Sequence, residues 1–262
     1  RLITDPLRTL AYGTDASFYR LIPQIVVRAS DEEEIIKIVK LADRHNTPVT
    51  FRAAGTSLSG QAITDSVLVQ LGDGWDNYKI SDDGSTITLQ PGVIGGNANK
   101  YLAPLNKKIG PDPASINTAK IGGIAANNAS GMCCGTAQNS YRTLNSMRVV
   151  LADGSVLDTA DPESIEHFRR SHSVLLDSLD CLSQQTRTND DLRERIEHKY
   201  RLKNTTGYAL NSLVDYEDPI DILQHLMIGS EGTLGFISNI TYNTVDEHEH
   251  KATALIFFNT VR

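Results

Sequence analysis

"FRAAGTSLSGQA", residues 51–62, decides the fold: it holds five small residues, three hydroxyl side chains and one arginine, and almost nothing that packs a core. A backbone this bare lets a ligand come close to the main chain. Free N–H groups at turns and helix N-termini then bind anionic oxygens without any lysine. Two further segments share the character, residues 111–131 and "GSEGTLG" at 229–235. A pyrophosphate fits one such loop. Three loops far apart in sequence suit an extended dinucleotide held along its length.

Around the first loop the chain alternates two periods. "PQIVVRAS" (23–30) reads as a buried strand and "DEEEIIKIVKLADRHN" (31–46) as an amphipathic helix, with Ser30 and Glu33 expected as its capping box. "TPVTFRA" runs as a strand into the bare loop, and "SVLVQL" (66–71) follows it. "YKISDDGSTITLQPGV" reads as a hairpin turning at Asp83 and Gly84, and "NANKYLAPLNKK" as a helix broken at Pro104. Residues 110–140 read as one long loop, which in a compact domain is functional or disordered. "LNSMRVVLADGSVLDT" is strand, turn and strand, and residues 161–200 are expected to form a helical insertion. "DPIDILQHLMIGSEGTLGFISNITYNTV" reads as helix, glycine-bearing turn and strand. "HKATALIFFNTV" is expected to open the first strand of a further domain. The class is α+β or α/β.

With 262 residues, 40% of them hydrophobic, the chain can fill a real core. Lys and Arg (25) against Asp and Glu (32) leave −7 with no basic run, which argues against nucleic acid. The longest apolar stretches, such as "ALIFF" (254–258), fall far short of the roughly 20 residues of a membrane-spanning helix. A leader pattern is missing, and a start at Arg1 is expected of a trimmed or engineered N-terminus. Three cysteines without a CxxC spacing indicate a reducing, cytoplasmic location.

Common nucleotide motifs are absent. No GxxxxGK[ST] occurs, residues 52–62 do not supply GxGxxG, and "TSLSG" lacks the glycine of a nucleophile elbow.

Together, "RAAGTSLSG", "GPDPASINTAKIGGIAANNASGMCCGT", "LADGSVLDT", "NTTGYALNSL" and "GSEGTLGFIS" resemble the FAD-binding (PCMH-type) domain of the vanillyl-alcohol oxidase and p-cresol methylhydroxylase flavoprotein family. Within it the likeness is strongest to the D-lactate, glycolate and D-2-hydroxyglutarate dehydrogenase branch, and "NNASGMCCGTAQNSYRTL" resembles its long, iron–sulfur-bearing members. The resemblance spans residues 24 to 245. It implies an α+β fold of two α/β subdomains with FAD between them, the first over residues 1–72 and the second over 73–245. Residues 246–262 begin a C-terminal substrate domain on this reading.

On matching positions, Ala53, Ala54, Gly55, Thr56, Ser57, Ser59 and Gly60 would wrap the pyrophosphate. Gly122, Gly123, Ala126, Asn127, Asn128 and Gly131 would line the ribityl chain and ring, with Pro111 and Asp112 close to the flavin. Glu231, Gly232 and Ile237 would approach the adenosine half; capping of the turn by Glu231 is the alternative role. Arg52, counted with the cofactor-binding set, and Arg142 fit either a structural role or a cation at the flavin edge. Relatives that tether the flavin use a histidine or cysteine where this chain has Thr56, or Thr118 and Ala119, so the FAD is expected to be non-covalent.

The implied reaction passes a hydride from a small-molecule 2-hydroxy acid, D-lactate first, to FAD and then electrons to a downstream acceptor other than oxygen. Base and substrate cation belong to the substrate domain in relatives, so no catalytic residue is assigned. Cys133 and Cys134 read as small buried thiols. His45, His167, His172, His198 and His225 read as solvated or capping residues, and His248 with His250 lack a third metal ligand nearby, so no metal is assigned. The resemblance allows an iron–sulfur cluster only in a C-terminal region outside this chain, and peripheral attachment to the inner membrane in the full-length protein. Two alternatives stay open: a UDP-N-acetylmuramate-forming reductase on the same fold, and a non-catalytic nucleotide-binding module.

Overall fold

The computed structural model describes residues 1–250, 252–258 and 260. The chain begins with β1 (Leu2–Ile3), α1 (Pro6–Leu10), β2 (Ile25–Ala29), α2 (Glu32–Arg44), β3 (Val49–Arg52) and β4 (Val67–Leu71). Next come β5 (Tyr78–Ile80), β6 (Thr86–Leu89), α3 (Gly95–Leu102), a 3-10 turn (Ala103–Leu105), β7 (Lys107–Lys108), α4 (Ile121–Asn127) and α5 (Ser140–Thr143). Strands β8 (Leu144–Leu151) and β9 (Val156–Asp158) precede three helices, α6 (Pro162–Ser171), α7 (Ser173–Thr188) and α8 (Asp190–Lys199). Helices α9 (Ser212–Asp215) and α10 (Pro219–Met227) lead to β10 (Gly235–Asn243) and β11 (Val245–Asp246).

Two sheets carry the fold. The first has the order β1-β2-β4-β3, with β2 and β3 both parallel to β4, as a strand–helix–strand crossover requires. The second, β5-β6-β10-β8-β9, is antiparallel throughout, and β11 pairs with β7 apart from it. Mixed helices and sheets of this kind are the expected α+β class.

One apolar cluster joins the two sheets. Ala29, Val69 and Leu71 of the first sheet and Ile35 and Val39 of α2 meet Val150 and Phe236 of the second sheet and Trp75 of the segment between β4 and β5. Phe236 sits between Phe51 and Trp75, with ring centroids 5.1 and 5.2 Å away. Each such side chain contributes about 1.5–3 kcal/mol when fully buried. The Trp75 indole N–H donates to the Ala29 carbonyl at 2.9 Å, which ties the start of the second half to the end of β2.

Three expectations are corrected. The cap of α2 is Asp31, whose carboxylate accepts the Glu34 amide at 2.8 Å, while Glu34 accepts the Ser30 amide at 2.7 Å. The Ser30 and Glu33 box is therefore displaced by one residue, and the acidic first turn stays in place. The stretch 110–140 is not one loop, because it contains α4 with Ile121, Ile124 and Ala125 buried. Only seven residues long and carrying two glycines, that helix has too weak a periodic signal to stand out. The strand expected at "HKATALIFFNTV" includes Lys251, Asn259 and Val261, which lie outside the described residues; residues 252–258 there form no strand and leave Leu255, Ile256, Phe257 and Phe258 exposed. Among the described residues no helix is long and apolar enough to cross a membrane.

Candidate functional site: a cleft between the two sheets

A cleft of about 1040 Å³ opens where the loop after β3 faces α4 and the start of β10. Its first wall is the bare loop. Arg52 is buried, and its Nε donates to the Ala62 carbonyl at 2.7 Å, closing the loop at its neck. This guanidinium is thus a structural clasp that also touches the cleft, not a free cation. Gly55 takes φ +69°, and its carbonyl accepts the Ala16 amide at 3.0 Å. The amides of Gly55, Thr56, Ser57 and Leu58 donate to nothing among the described residues. Four consecutive unpaired donors on a glycine-bearing turn form a positive concavity suited to anionic oxygens.

The second wall is α4 and the segment after it. A Cβ on Gly122 would come within 2.7 Å of Pro91, whereas one on Gly123 would meet nothing nearer than the Ala53 Cβ at 3.8 Å, so Gly123 presents bare backbone to the cleft. Asp112 organises the following turn: its carboxylate accepts the amides of Gly131 at 2.8 Å, Cys133 at 3.1 Å and Cys134 at 3.3 Å. Burial opposes ionisation of Asp112, but the Cys134 thiol and those amides outweigh it and hold the carboxyl below the usual carboxylate range. A Cβ on Gly131 would lie 2.0 Å from the Asp112 carbonyl oxygen, so only glycine fits there.

The third wall is the turn before β10. Amides of Gly229 and Glu231 donate to the carbonyls of Ala125 and Ala126 at 3.2 and 2.8 Å, docking the turn on α4. Asn127 Nδ2 donates to Glu231 Oε1 at 2.5 Å, and Glu231 and Gly232 both take positive φ, +55° and +77°. Burial pushes the Glu231 carboxyl up, with Asn127 opposing. Glu231 therefore meets a side chain of α4 and does not cap the turn's own amides.

Most expected residues meet on this one cleft: Arg52, Ala53, Ala54, Gly55, Thr56, Ser57 and Ser59; Asp112, Gly122, Gly123, Ala126, Asn127 and Gly131; Glu231, Gly232 and Ile237. Gly60, Pro111 and Asn128 lie outside its lining. Gly60 packs by Tyr19, and Asn128 ends α4 in the left-handed region, its Oδ1 accepting the Tyr141 amide at 3.3 Å. Arg142 is on another face, 3.4 Å from Asp215 and above the Tyr141 ring, so it is no flavin-edge cation. Lys120, Lys203, Thr205, Thr206 and Ser130 line the cleft without having been expected there. "NTTGY" pointed to the second threonine-bearing loop, but nothing local showed where it docks.

Two readings of single residues fail. Cys133 is exposed on the cleft, and only Cys134 of the pair is buried. His225 is not solvated: it is buried, its Nδ1–H donates to the Asp221 carbonyl at 2.7 Å, and its ring stacks on Tyr216 at 3.9 Å. Burial drives its pKa down to about 4. None of the histidines lines the cleft.

Residues 23–160 match the FAD binding domain family. The D-2-hydroxyglutarate dehydrogenase of Escherichia coli (strain K12) is 28% identical over 237 residues, covering 87% of this chain and 23% of that protein. D-lactate dehydrogenase (cytochrome) 1, mitochondrial, of Saccharomyces cerevisiae is 26% identical over 249 residues, covering 92% and 33%. Glycolate oxidase subunit GlcD of Bacillus subtilis (strain 168) is 25% identical over 255 residues, covering 96% and 43%. The chain thus spans about a quarter of the length of the D-2-hydroxyglutarate dehydrogenases it matches. A solved alkyldihydroxyacetonephosphate synthase superposes with a TM-score of 0.60 at 18% identity, covering 94% of this chain and 38% of that one, and so shares the fold.

Proposed function

Because the chain belongs to the FAD binding domain family, we propose that its cleft holds FAD non-covalently and that it is the cofactor-holding part of a dehydrogenase acting on a 2-hydroxy acid. One observation carries the reading: residues 55–58, whose amides have no partner among the described residues, line the same cleft as the bare backbone of Gly123 and Gly232. That donor set fits an extended dinucleotide, with the diphosphate on the amides and uncharged parts along the other walls. FAD, when bound, supplies the hydride acceptor. The chain's own residues orient it: Asp112 stiffens the turn at Gly131, the Glu231 turn locks α4 in place, and Arg52 holds the loop neck. Thr56 and Ala119 line the cleft where a tethering histidine or cysteine is missing, which supports non-covalent binding.

D-lactate is the proposed substrate, with D-2-hydroxyglutarate and glycolate next, since relatives named for all three are similar to this chain at 25–28% identity. A carrier other than oxygen takes the electrons. Residues 1–72 and 73–245 are proposed as the two subdomains, and 246–262 as the start of a substrate domain that would hold the base. Placement in the cytoplasm goes with the free thiols.

The test is a titration of the flavin-free chain with FAD, FMN and ADP, followed by flavin fluorescence. Saturable FAD binding, competed by ADP and much tighter than FMN, supports the reading. Failure to bind FAD sinks it.

A further inference from the structure

Asn127 and Ala129 line the cleft, but Asn128 between them opens on a second pocket that shares no lining residue with it. This pocket, of about 170 Å³, lies between the turn that enters α5 and the loop that joins α8 to α9. At about 30 Å³ for the share of one water, it has room for roughly five or six non-hydrogen atoms. Asn128 and Asn139 are 9% and 7% exposed, and each spends its Oδ1 on a main-chain amide, that of Tyr141 at 3.3 Å and that of Arg142 at 3.0 Å. An amide N–H cannot accept, so the group left over on each side chain is the Nδ2 donor. Neither Nδ2 has a partner among the described residues and neither is sealed from solvent, so both open on the space that the two residues line. Free donors on side chains this buried call for an acceptor.

The rest of the lining adds donors and a cation. Thr136, Ala137 and Asn139 have main-chain amides with no acceptor among the described residues. Arg142 supplies the charge: its Nη2 stands 3.4 Å from Asp215, while its Nε and Nη1 are free and the side chain is half-exposed. That aspartate already accepts the Tyr141 hydroxyl at 2.9 Å and the Asn211 Nδ2 at 3.0 Å, and it does not line the pocket. No Asp or Glu among the described residues lines it. Acceptors are mostly spent or closed off. The Tyr200 hydroxyl donates to the Tyr208 carbonyl at 2.7 Å and takes the Leu210 amide at 3.0 Å, and the Asn211 Oδ1 is sealed. Thr136 keeps a hydroxyl that can act in either sense.

We infer that this pocket is a binding site for a small monocarboxylate, held by the Nδ2 groups of Asn128 and Asn139 and by the Arg142 guanidinium. Planar donors around one guanidinium suit the two oxygens of a carboxylate, and the free amides of the turn add to the same positive field. Asp215 offsets part of the Arg142 charge, so a single negative charge is matched here and a dianion such as phosphate is not. The volume admits an acid of about three carbons and excludes a dicarboxylate of about five. No residue of the cleft takes part, so the assignment stands apart from the FAD reading.

The experiment titrates the isotope-labelled chain, as purified, with propionate at constant ionic strength and follows the side-chain NH2 resonances of its asparagines by NMR. Inorganic phosphate and propionamide are titrated in parallel. The Asn128 and Asn139 resonances are expected to move together along one saturating curve. Propionamide keeps the shape of the acid and loses its charge, so it is expected to bind about tenfold more weakly or worse. Asn139→Asp retains the oxygen that caps α5 and turns the free donor into a second acceptor, which should weaken propionate by about tenfold or more while the helix stays capped. Arg142→Gln is expected to do the same, with Asp215 still held by Tyr141 and Asn211. Asparagine resonances that fail to saturate overturn the inference. So does tighter binding of phosphate than of propionate, or either variant binding propionate as tightly as wild type.

Discussion

Arg148 on β8 holds Glu32, in the first turn of α2, by two parallel hydrogen bonds, Nε to Oε2 at 2.9 Å and Nη2 to Oε1 at 2.8 Å. Ser238 on β10 adds a third, its hydroxyl donating to Glu32 Oε2 at 2.5 Å. The helix of the first sheet is thus fastened to the two central strands of the second, behind the cleft. Burial opposes the charge on Glu32, but Arg148 and Ser238 outweigh it and lower its pKa.

Removing Glu32 leaves the half-buried Arg148 with only its longer bond to Asp158, Nη1 to Oδ2 at 3.4 Å. Glu32→Gln is expected to cost about 1–2 kcal/mol, discounted because Arg148 is partly exposed. Urea unfolding at pH 7 measures it. Since the folded pKa is depressed, this stability is present above the ordinary glutamate value and is lost as pH falls through the lowered one. The variant should therefore lose less stability in acid than wild type does.

His225 gives a second pH signature. The unfolded chain takes up this proton near pH 6.5, the folded one only at about 4. More protons are bound by the unfolded state between those values, so stability is full above about 6.5 and falls as pH drops toward 4. The loss by pH 5 is about 2 kcal/mol. His225→Phe should remove that part of the difference between urea curves at pH 7 and pH 5; an unchanged difference would show that another group titrates.

Gly131→Ala forces a methyl against the Asp112 carbonyl oxygen, where 2.0 Å is available. The turn must move, and the three amides on Asp112 go with it. A destabilisation of about 1–3 kcal/mol is expected. FAD affinity should fall at least tenfold, read by fluorescence titration below the unfolding transition.

Gly55→Val is a cleaner probe of the bare loop. A Cβ there meets only the Arg52 side chain, at 3.5 Å, so the cost comes from the left-handed backbone, about 1–2 kcal/mol. Circular dichroism should be unchanged while flavin retention is lost. Normal FAD occupancy would dissociate the loop from the diphosphate.

Local signals made much of this molecule legible. The crossover around α2, the hairpin at Asp83 and Gly84, and the helix–turn–strand ending in β10 follow from periodicity and turn chemistry, which act over a few residues. The three glycine-bearing segments announced a shared ligand because each is bare in its own right. A seven-residue helix with two glycines did not stand out, and local pattern does not separate the adjoining cap residues Ser30 and Asp31.

What the sequence determined by itself is therefore the order of elements and the main-chain groups left free for a ligand, since both depend on residue type and near neighbours. Tertiary structure alone decided the side chains around them. Asp112 finds its amides 19 to 22 positions away, and Lys203 reaches Ser130 across 73. Burial of His225 and the diversion of Arg142 to Asp215 are likewise products of packing between distant segments, where desolvation and partner geometry set the role of a charge and no spacing rule records them.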